Sequence, residues 1–326
     1  MKKVDLSNLP RSAKILVLHT ANLGDVISGS IVIDFLKKHF DKVNVYIRTP
    51  FQGLFAGDDQ VIELKEVIKE KYDLVVDLDS TKVSRTLARK VGSPIKVGMW
   101  YTRLRKIKYS FLYSHQAQKL KTGKIVRDYD PVIELMGGVP QQRPQISQWD
   151  EPSAIQWIKS NINSPYVVMH FSSLIPVRQL PDELLFPIIN FIKKQSLQLI
   201  LIGVEKDTIL EVVDKYSGYP LFNVFNIKEL KTIIGHSCFY IGTDSGPLHL
   251  AAALNKNGIG FYGPELAKNC GNISDKIITF EKDFSCRPCD QNQPCPYNQR
   301  CLKSFDIESI TSALDNLQSF AGKLST

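Results

Sequence analysis

The strongest constraint on the fold is a rhythm. A short apolar run ends near glycine or a small polar residue, a helical segment follows, and the pattern repeats. Lys14-Ile15-Leu16-Val17-Leu18-His19 is one such run. Residues 25–40 follow, with Val26, Ile27, Ile31, Ile33, Phe35 and Leu36 as the apolar set and Lys37, Lys38 and His39 at the end. A strand of a parallel sheet is apolar on both faces, and a helix favours cations at its carboxyl pole. Further strands are expected at Val43–Ile47, Asp73–Leu78 and, more weakly, Lys96–Met99. Strands alternating with helices predict an α/β fold with a parallel sheet covered by helices.

The rhythm breaks once, at Pro140–Pro152, which is rich in Pro, Gln and Ser and reads as a linker. It then restarts with strands at Tyr166–Phe171, Gln198–Gly203, Cys238–Gly242 and Gly258–Tyr262. Helices are expected at Pro181–Lys194, Pro247–Leu254 and Asp306–Phe320. A chain of 326 residues is long for one core and suits two domains of about 150 residues. The division expected is 1–150 and 151–326, with the last helix able to pack back on the first domain. Two such Rossmann-like halves form a cleft, where ligands bind at the carboxyl ends of strands.

Two turns carry the chemistry. Thr20-Ala21-Asn22-Leu23-Gly24-Asp25 joins the first strand to the first helix. Asp25 there either caps the helix or serves as a general base toward a hydroxyl. The second turn is Thr243-Asp244-Ser245-Gly246-Pro247-Leu248-His249. A strand ends, a small polar turn follows, and Pro stands at the helix start. Free N–H groups at such a start suit a diphosphate, and Gly246 lets the backbone approach it closely. Asp244 repels phosphate, so it is expected to cap the helix or to meet a sugar hydroxyl or a main-chain amide. The structural alternative is an ordinary capped helix. Gly258-Ile259-Gly260-Phe261-Tyr262-Gly263 matches the spacing of a dinucleotide fingerprint, but its glycines fall inside a strand and Pro264 follows. It is read as a decoy.

Charge points to an anionic partner. The net charge is +8, and the 48 residues from Ser80 to Arg127 hold thirteen Lys or Arg and no Asp or Glu. Arg103, Arg105, Lys106 and Lys108 lie among Trp100, Tyr101, Tyr109, Phe111 and Tyr113. A solvated basic face is the plain explanation. A phosphorylated acceptor or an anionic membrane surface is the functional one. Nucleic acid is not expected, since no recognition motif accompanies the charge.

Six cysteines are too few for a disulfide scaffold, but Cys286, Cys289, Cys295 and Cys301 fall close together among Pro288, Pro294 and Pro296. That clustering raises a structural zinc as one reading, packing as the other. No apolar run reaches the roughly 18 residues of a membrane span. The only apolar stretch near Met1-Lys2-Lys3, Ile15–Leu18, is too short for a signal peptide. A cytoplasmic protein is expected, with attachment to a membrane surface allowed.

Taken together, Leu23-Gly24-Asp25-Val26, the stretch Thr243–Ala252, Phe261-Tyr262-Gly263-Pro264 and the four-cysteine loop resemble glycosyltransferase family nine. This is the lipopolysaccharide heptosyltransferase family, with the two-domain GT-B fold. The resemblance implies an inverting glycosyltransferase moving a sugar, heptose from ADP-heptose, onto a lipopolysaccharide core or similar phosphorylated glycolipid. It implies that Asp25 is the catalytic base and that Asp244, Ser245, Gly246 and His249 lie in the donor site. Arg178 falls where the family carries a Lys facing the donor phosphates, and Glu205 where it has a Glu contacting the donor ribose. Arg103, Arg105, Lys106 and Lys108 would hold the acceptor, and catalysis would require no cofactor. Leu180 replaces a usual Trp, and Glu265 stands where Thr or Ser often follows Gly-Pro. Both departures bear on donor and acceptor identity more than on fold. The alternatives are a nucleotide-sugar epimerase of the same fold, which would turn over donor without acceptor, and a non-catalytic nucleotide-binding module, which would release no nucleoside diphosphate.

Overall fold

The computed structural model describes residues 3–67, 69–119, 128–140, 143–203, 219–221, 226–270 and 274–321. The chain divides into two compact units, Met1–Ser147 and Gln148–Thr326. Each is an α/β layer structure around one parallel sheet, as the strand-helix rhythm predicts.

The first unit's strands are β1 (Ile15–His19), β2 (Val43–Ile47), β3 (Val61–Glu63), β4 (Leu74–Asp77), β5 (Ile95–Trp100) and β6 (His115–Gln118). They form a six-stranded sheet in the order β3-β2-β1-β4-β5-β6. Every described pairing is parallel: Ile15 stands opposite Val43 on one side and Leu74 on the other. The helices are α1 (Leu23–Lys37), α2 (Lys82–Lys90), α3 (Arg103–Lys108) and α4 (Asp130–Leu135). All five residues of β1 are buried, because helices cover the sheet on both faces. Each aliphatic side chain buried this way contributes about 1.5–3 kcal/mol.

α1 is buried nearly all round, and its two serines are accommodated by local bonds. Ser28 donates to the Gly24 carbonyl at 2.9 Å and Ser30 to the Ile27 carbonyl at 2.8 Å, so neither hydroxyl is left unpaired in the core. α2 opens with a reciprocal cap between Thr81 and Ser84.

The second unit holds β7 (Tyr166–His170), β8 (Gln198–Ile202), β9 (Tyr219–Leu221), β10 (Tyr240–Thr243), β11 (Gly258–Tyr262) and β12 (Ile277–Glu281). Its sheet order is β12-β11-β10-β7-β8-β9, which repeats the first sheet's pattern of connections. Its helices are α5 (Pro152–Asn161), α6 (Asp182–Lys194), α7 (Ile227–His236), α8 (Gly246–Ala253), α9 (Ala267–Cys270), α10 (Arg300–Lys303) and α11 (Ile307–Ala321). α11 buries Ile310, Leu314 and Leu317 with Leu185, Ile188 and Ile192 of α6 in one core. These residues of the last helix are therefore part of the second unit's own core.

In each sheet the connections reverse direction between two central strands: β1 and β4 in the first, β7 and β10 in the second. Loops leaving the carboxyl ends of these strands diverge and open a crevice. Thr20–Asp25 follows β1 and Asp244–Gly246 follows β10, so both chemically marked turns lie at switch points. The glycine spacing at 258–263 is structural. Gly258 and Gly260 are buried within β11, and a Cβ at Gly258 would collide with the Tyr240 carbonyl of the neighbouring strand.

Candidate functional site

The first unit's site begins at the end of β1. Asp25 lies in the first turn of α1 and is half-buried. The capping position belongs to Asn22, and no side chain caps the helix there. The capping explanation for Asp25 thus gives way to a carboxylate held at the positive pole of a helix.

Its backbone is held from beneath. His19, fully buried at the end of β1, places Nε2 3.0 Å from the Asp25 carbonyl. Its other ring nitrogen lies 2.9 Å from the Asp79 carboxylate. Burial alone would lower the His19 pKa; the charge and hydrogen bond of Asp79 outweigh it and raise the pKa. Burial pushes Asp79 up, but the charge and hydrogen bonding of His19 and the Thr20 N–H bring it below the usual carboxylate value. Both ring nitrogens thus face oxygen acceptors, the Asp25 carbonyl and the Asp79 carboxylate. The Thr20 hydroxyl donates to the same carboxylate at 2.9 Å, which ties the start of the Asp25 turn to the loop after β4. Gly29 leaves room for the ring, since a Cβ there would run into His19 Nε2. The Tyr129 ring stands edge-on to His19, with centroids 5.4 Å apart.

Asp77 anchors that second loop. It accepts N–H bonds from Asp79 at 3.1 Å and Ser80 at 2.8 Å, and the Tyr113 hydroxyl donates to its other oxygen. Burial raises its pKa to about 6 despite these bonds. Sequence reasoning found neither His19 nor Asp79. The available signal was a lone His at one strand end and a second acid two residues past another.

Arg103, Arg105, Lys106 and Lys108 lie on α3, which the Thr102 side chain caps by accepting the Arg105 N–H at 3.3 Å. Arg105 stands 5.7 Å from the Tyr101 ring and Lys106 5.3 Å from the Trp100 ring. Trp100, Arg103, Lys106, Ile107, Ser110 and Gln116 line an open depression of about 580 Å³.

In the second unit, Asp244, Ser245, Gly246 and His249 come together where β10 meets α8. Asp244 is buried, and its carboxylate pairs with Arg178 at 3.0 Å, with His249 Nε2 at 3.7 Å. Arg178 also donates to the Asp244 carbonyl at 3.1 Å, while its own carbonyl accepts from the Thr243 hydroxyl at 2.5 Å. Arg178 Nε reaches Gln291 at 2.5 Å. The guanidinium therefore neutralises the acid that would repel a diphosphate, and it remains partly exposed beside the helix start. Ser245 is the capping residue of α8 but makes no side-chain cap; its hydroxyl lies 3.0 Å from His170 Nδ1 and donates to the Thr243 carbonyl. No side chain caps α8; Pro247 has no N–H and those of Leu248 and His249 reach back to the Ser245 carbonyl, which leaves the Gly246 N–H and the positive pole of the helix for an anion. Burial lowers the His170 pKa to about 4, so the ring is neutral near pH 7.

The Glu265 carboxylate is held by neutral amide donors. It accepts from Asn269 at 2.8 Å and from Gln291 at 3.2 Å. Arg287 bonds the Tyr262 and Glu265 carbonyls and the Glu281 carboxylate, fixing the loop after β11. Glu205 lies outside the described residues.

The four-cysteine loop, read either as a structural zinc site or as packing, lies in the second unit. Cys286, Cys289, Cys295 and Cys301 line one cavity of about 250 Å³. Yet no three His, Cys, Asp or Glu among the described residues are placed to share a metal ion. The thiols have other engagements: Cys289 donates to the Cys286 carbonyl at 3.1 Å, Cys295 accepts the Gln299 N–H at 3.3 Å, and Cys301 packs in the core. Burial raises the pKa of Cys289 and Cys301, and the neighbouring thiols add to the rise.

Comparison with known proteins bears on the whole arrangement. The family model for glycosyltransferase family 9 (heptosyltransferase) matches residues 61–299. A lipopolysaccharide heptosyltransferase 1 of Campylobacter coli is 23% identical over 93% of this chain and 98% of its own. The structure of a family 9 glycosyltransferase from Veillonella parvula superposes with a TM-score of 0.79 at 18% identity, over 95% of this chain and 98% of that one. An E. coli heptosyltransferase with ADP gives 0.70 at 16% identity, over 93% and 99%. These likenesses show the two-domain α/β fold of the heptosyltransferases. The matched model covers well over half of the chain, and the chain belongs to glycosyltransferase family 9, the heptosyltransferases.

Proposed function

We propose that the chain transfers a heptosyl group from ADP-heptose, with inversion, to a hydroxyl of a phosphorylated glycolipid such as a lipopolysaccharide core. Asp25 accepts the hydroxyl proton as the acceptor oxygen bonds to the anomeric carbon. The bond from that carbon to the diphosphate oxygen breaks, and ADP leaves with the electron pair. Attack from the face opposite the leaving group inverts the anomeric centre.

The second unit stabilises the departing charge. The positive pole of α8, with Gly246 allowing close approach, and the guanidinium of Arg178 meet the diphosphate. Ser245 and His249 complete the donor turn, and Glu205 is assigned to the ribose. Helix start and guanidinium supply the positive charge, so the reading invokes no cofactor. On α3, Arg103, Arg105, Lys106 and Lys108 meet the acceptor phosphates. The enzyme then works at the cytoplasmic face of the inner membrane, where a glycolipid is presented.

One observation carries this reading. Buried Asp244 is paired with Arg178 at 3.0 Å, so a helix start at a sheet switch point is cleared of repulsion toward a diphosphate. The similar E. coli heptosyltransferase with ADP lends support. The test is to incubate the protein with a panel of nucleotide sugars and a lipid extract, then weigh the glycolipids by mass spectrometry. A heptose increment from ADP-heptose alone is expected. No increment with any donor, or donor turnover that needs no acceptor, overturns the reading.

A further inference from the structure

α3 is a helix that buries none of its residues. A six-residue helix is marginal by itself, and one without a buried face adds nothing to the core. Its apolar residues face solvent: Leu104 is 80% exposed, Ile107 71%, and Phe111 in the turn beyond it 74%. Other exposed large apolar residues of the described chain stand singly along the sequence; these three fall within one short stretch. Leu104 and Ile107 are three apart and share a side of the helix, with Phe111 four further on.

Cations surround this stripe. Arg103, Arg105 and Lys108 are exposed on the same helix, and Arg89 of α2 lies 5.9 Å from the Phe111 ring. Acids are absent from the entire 80–127 sequence. An aqueous phosphate needs the cations but not the apolar side chains. A bilayer bearing anionic headgroups uses both, since phosphates meet the guanidinium and ammonium groups while the apolar side chains enter the acyl boundary.

We propose that α3 and the turn after it, through Leu104, Ile107 and Phe111, form a membrane-seating element that inserts into anionic bilayers. The inference deepens the glycolipid-acceptor reading by assigning the surface on which the acceptor is met, and its test separates the two. The full chain is sedimented with vesicles of phosphatidylcholine alone and of phosphatidylcholine with phosphatidylglycerol. Binding is expected on the anionic vesicles only. The double variant Leu104→Ser/Phe111→Ser should lower that binding about tenfold or more. Its transfer to a delipidated, water-soluble acceptor should match the unaltered chain, which also shows that it folds. Separately, Phe111→Trp should gain a blue-shifted emission on anionic vesicles. Equal binding to neutral and anionic vesicles, undiminished binding of the double variant, an unshifted emission, or preference for an oligonucleotide over vesicles each overturns the proposal. Intact transfer with failed vesicle binding rejects the seating element alone; failed transfer with intact vesicle binding rejects the transferase reading alone.

Discussion

His19 contacts the Asp25 carbonyl at 3.0 Å through one ring nitrogen and the Asp79 carboxylate at 2.9 Å through the other. The fully buried ring thereby transmits the position of the loop after β4 to the first turn of α1. Removing the acid leaves the ring without its counterion. Asp79→Asn should cost about 3–5 kcal/mol of stability. The sign of its pH dependence follows from the two shifts. The raised His19 pKa gives stability that is full below its unfolded value near 6.5 and is lost as pH rises through the folded value. The lowered Asp79 pKa gives stability present above about 3.8 and lost as pH falls through the folded value. The melting-temperature gap between the unaltered chain and Asp79→Asn should therefore be widest from about pH 4 to 6.5 and should narrow in alkali. A gap that does not vary with pH contradicts the ion pair.

The scaffold holds Asp25 by its carbonyl and not by its carboxylate. Asp25→Asn should keep the melting temperature and lower kcat by about 10²–10⁴-fold, the usual share of a general base. Steady-state kinetics beside a thermal melt decide the matter, and near-native turnover removes the assignment.

Arg178 and Asp244 differ in exposure, at 20% and 2% of the side chain, so their removal should differ too. Arg178→Ala strands a buried carboxylate and should cost about 3–5 kcal/mol. Asp244→Ala should cost less stability yet weaken donor binding measured by calorimetry. The double alanine variant should recover part of the stability lost in Arg178→Ala. If the three losses simply add, the two side chains are not coupled.

The cysteine cavity should be metal-free. Elemental analysis of the purified chain should find metal well below one equivalent, and a chelator should leave the melting temperature unmoved. Stoichiometric zinc or iron, or a chelator-induced fall, establishes the structural metal instead.

Central strands were legible because they are continuous apolar runs: β1, β4, β7, β8, β10 and β11 all announce themselves. The edge strands β3, β6, β9 and β12 do not. β12 buries only Ile277, and β6 is His-Gln-Ala-Gln, polar at three of its four residues. Such segments become strands by pairing with a neighbour already in place. Among site residues, Asp25 and Asp244 were visible through their place after a strand. His19 and Asp79 were not, because a single histidine or a single acid has no pattern of its own.

Local order in the chain determined the alternation of strand and helix, the two parallel sheets and the small polar turns at their switch points. These follow from periodicity and turn chemistry, which act over a few residues. Tertiary structure alone decided that Arg178 pairs with an acid 66 positions away, that His19 rests on Asp79, and that the four clustered cysteines line one cavity. Those outcomes depend on where side chains remote in sequence are brought together and on what burial does to their charges.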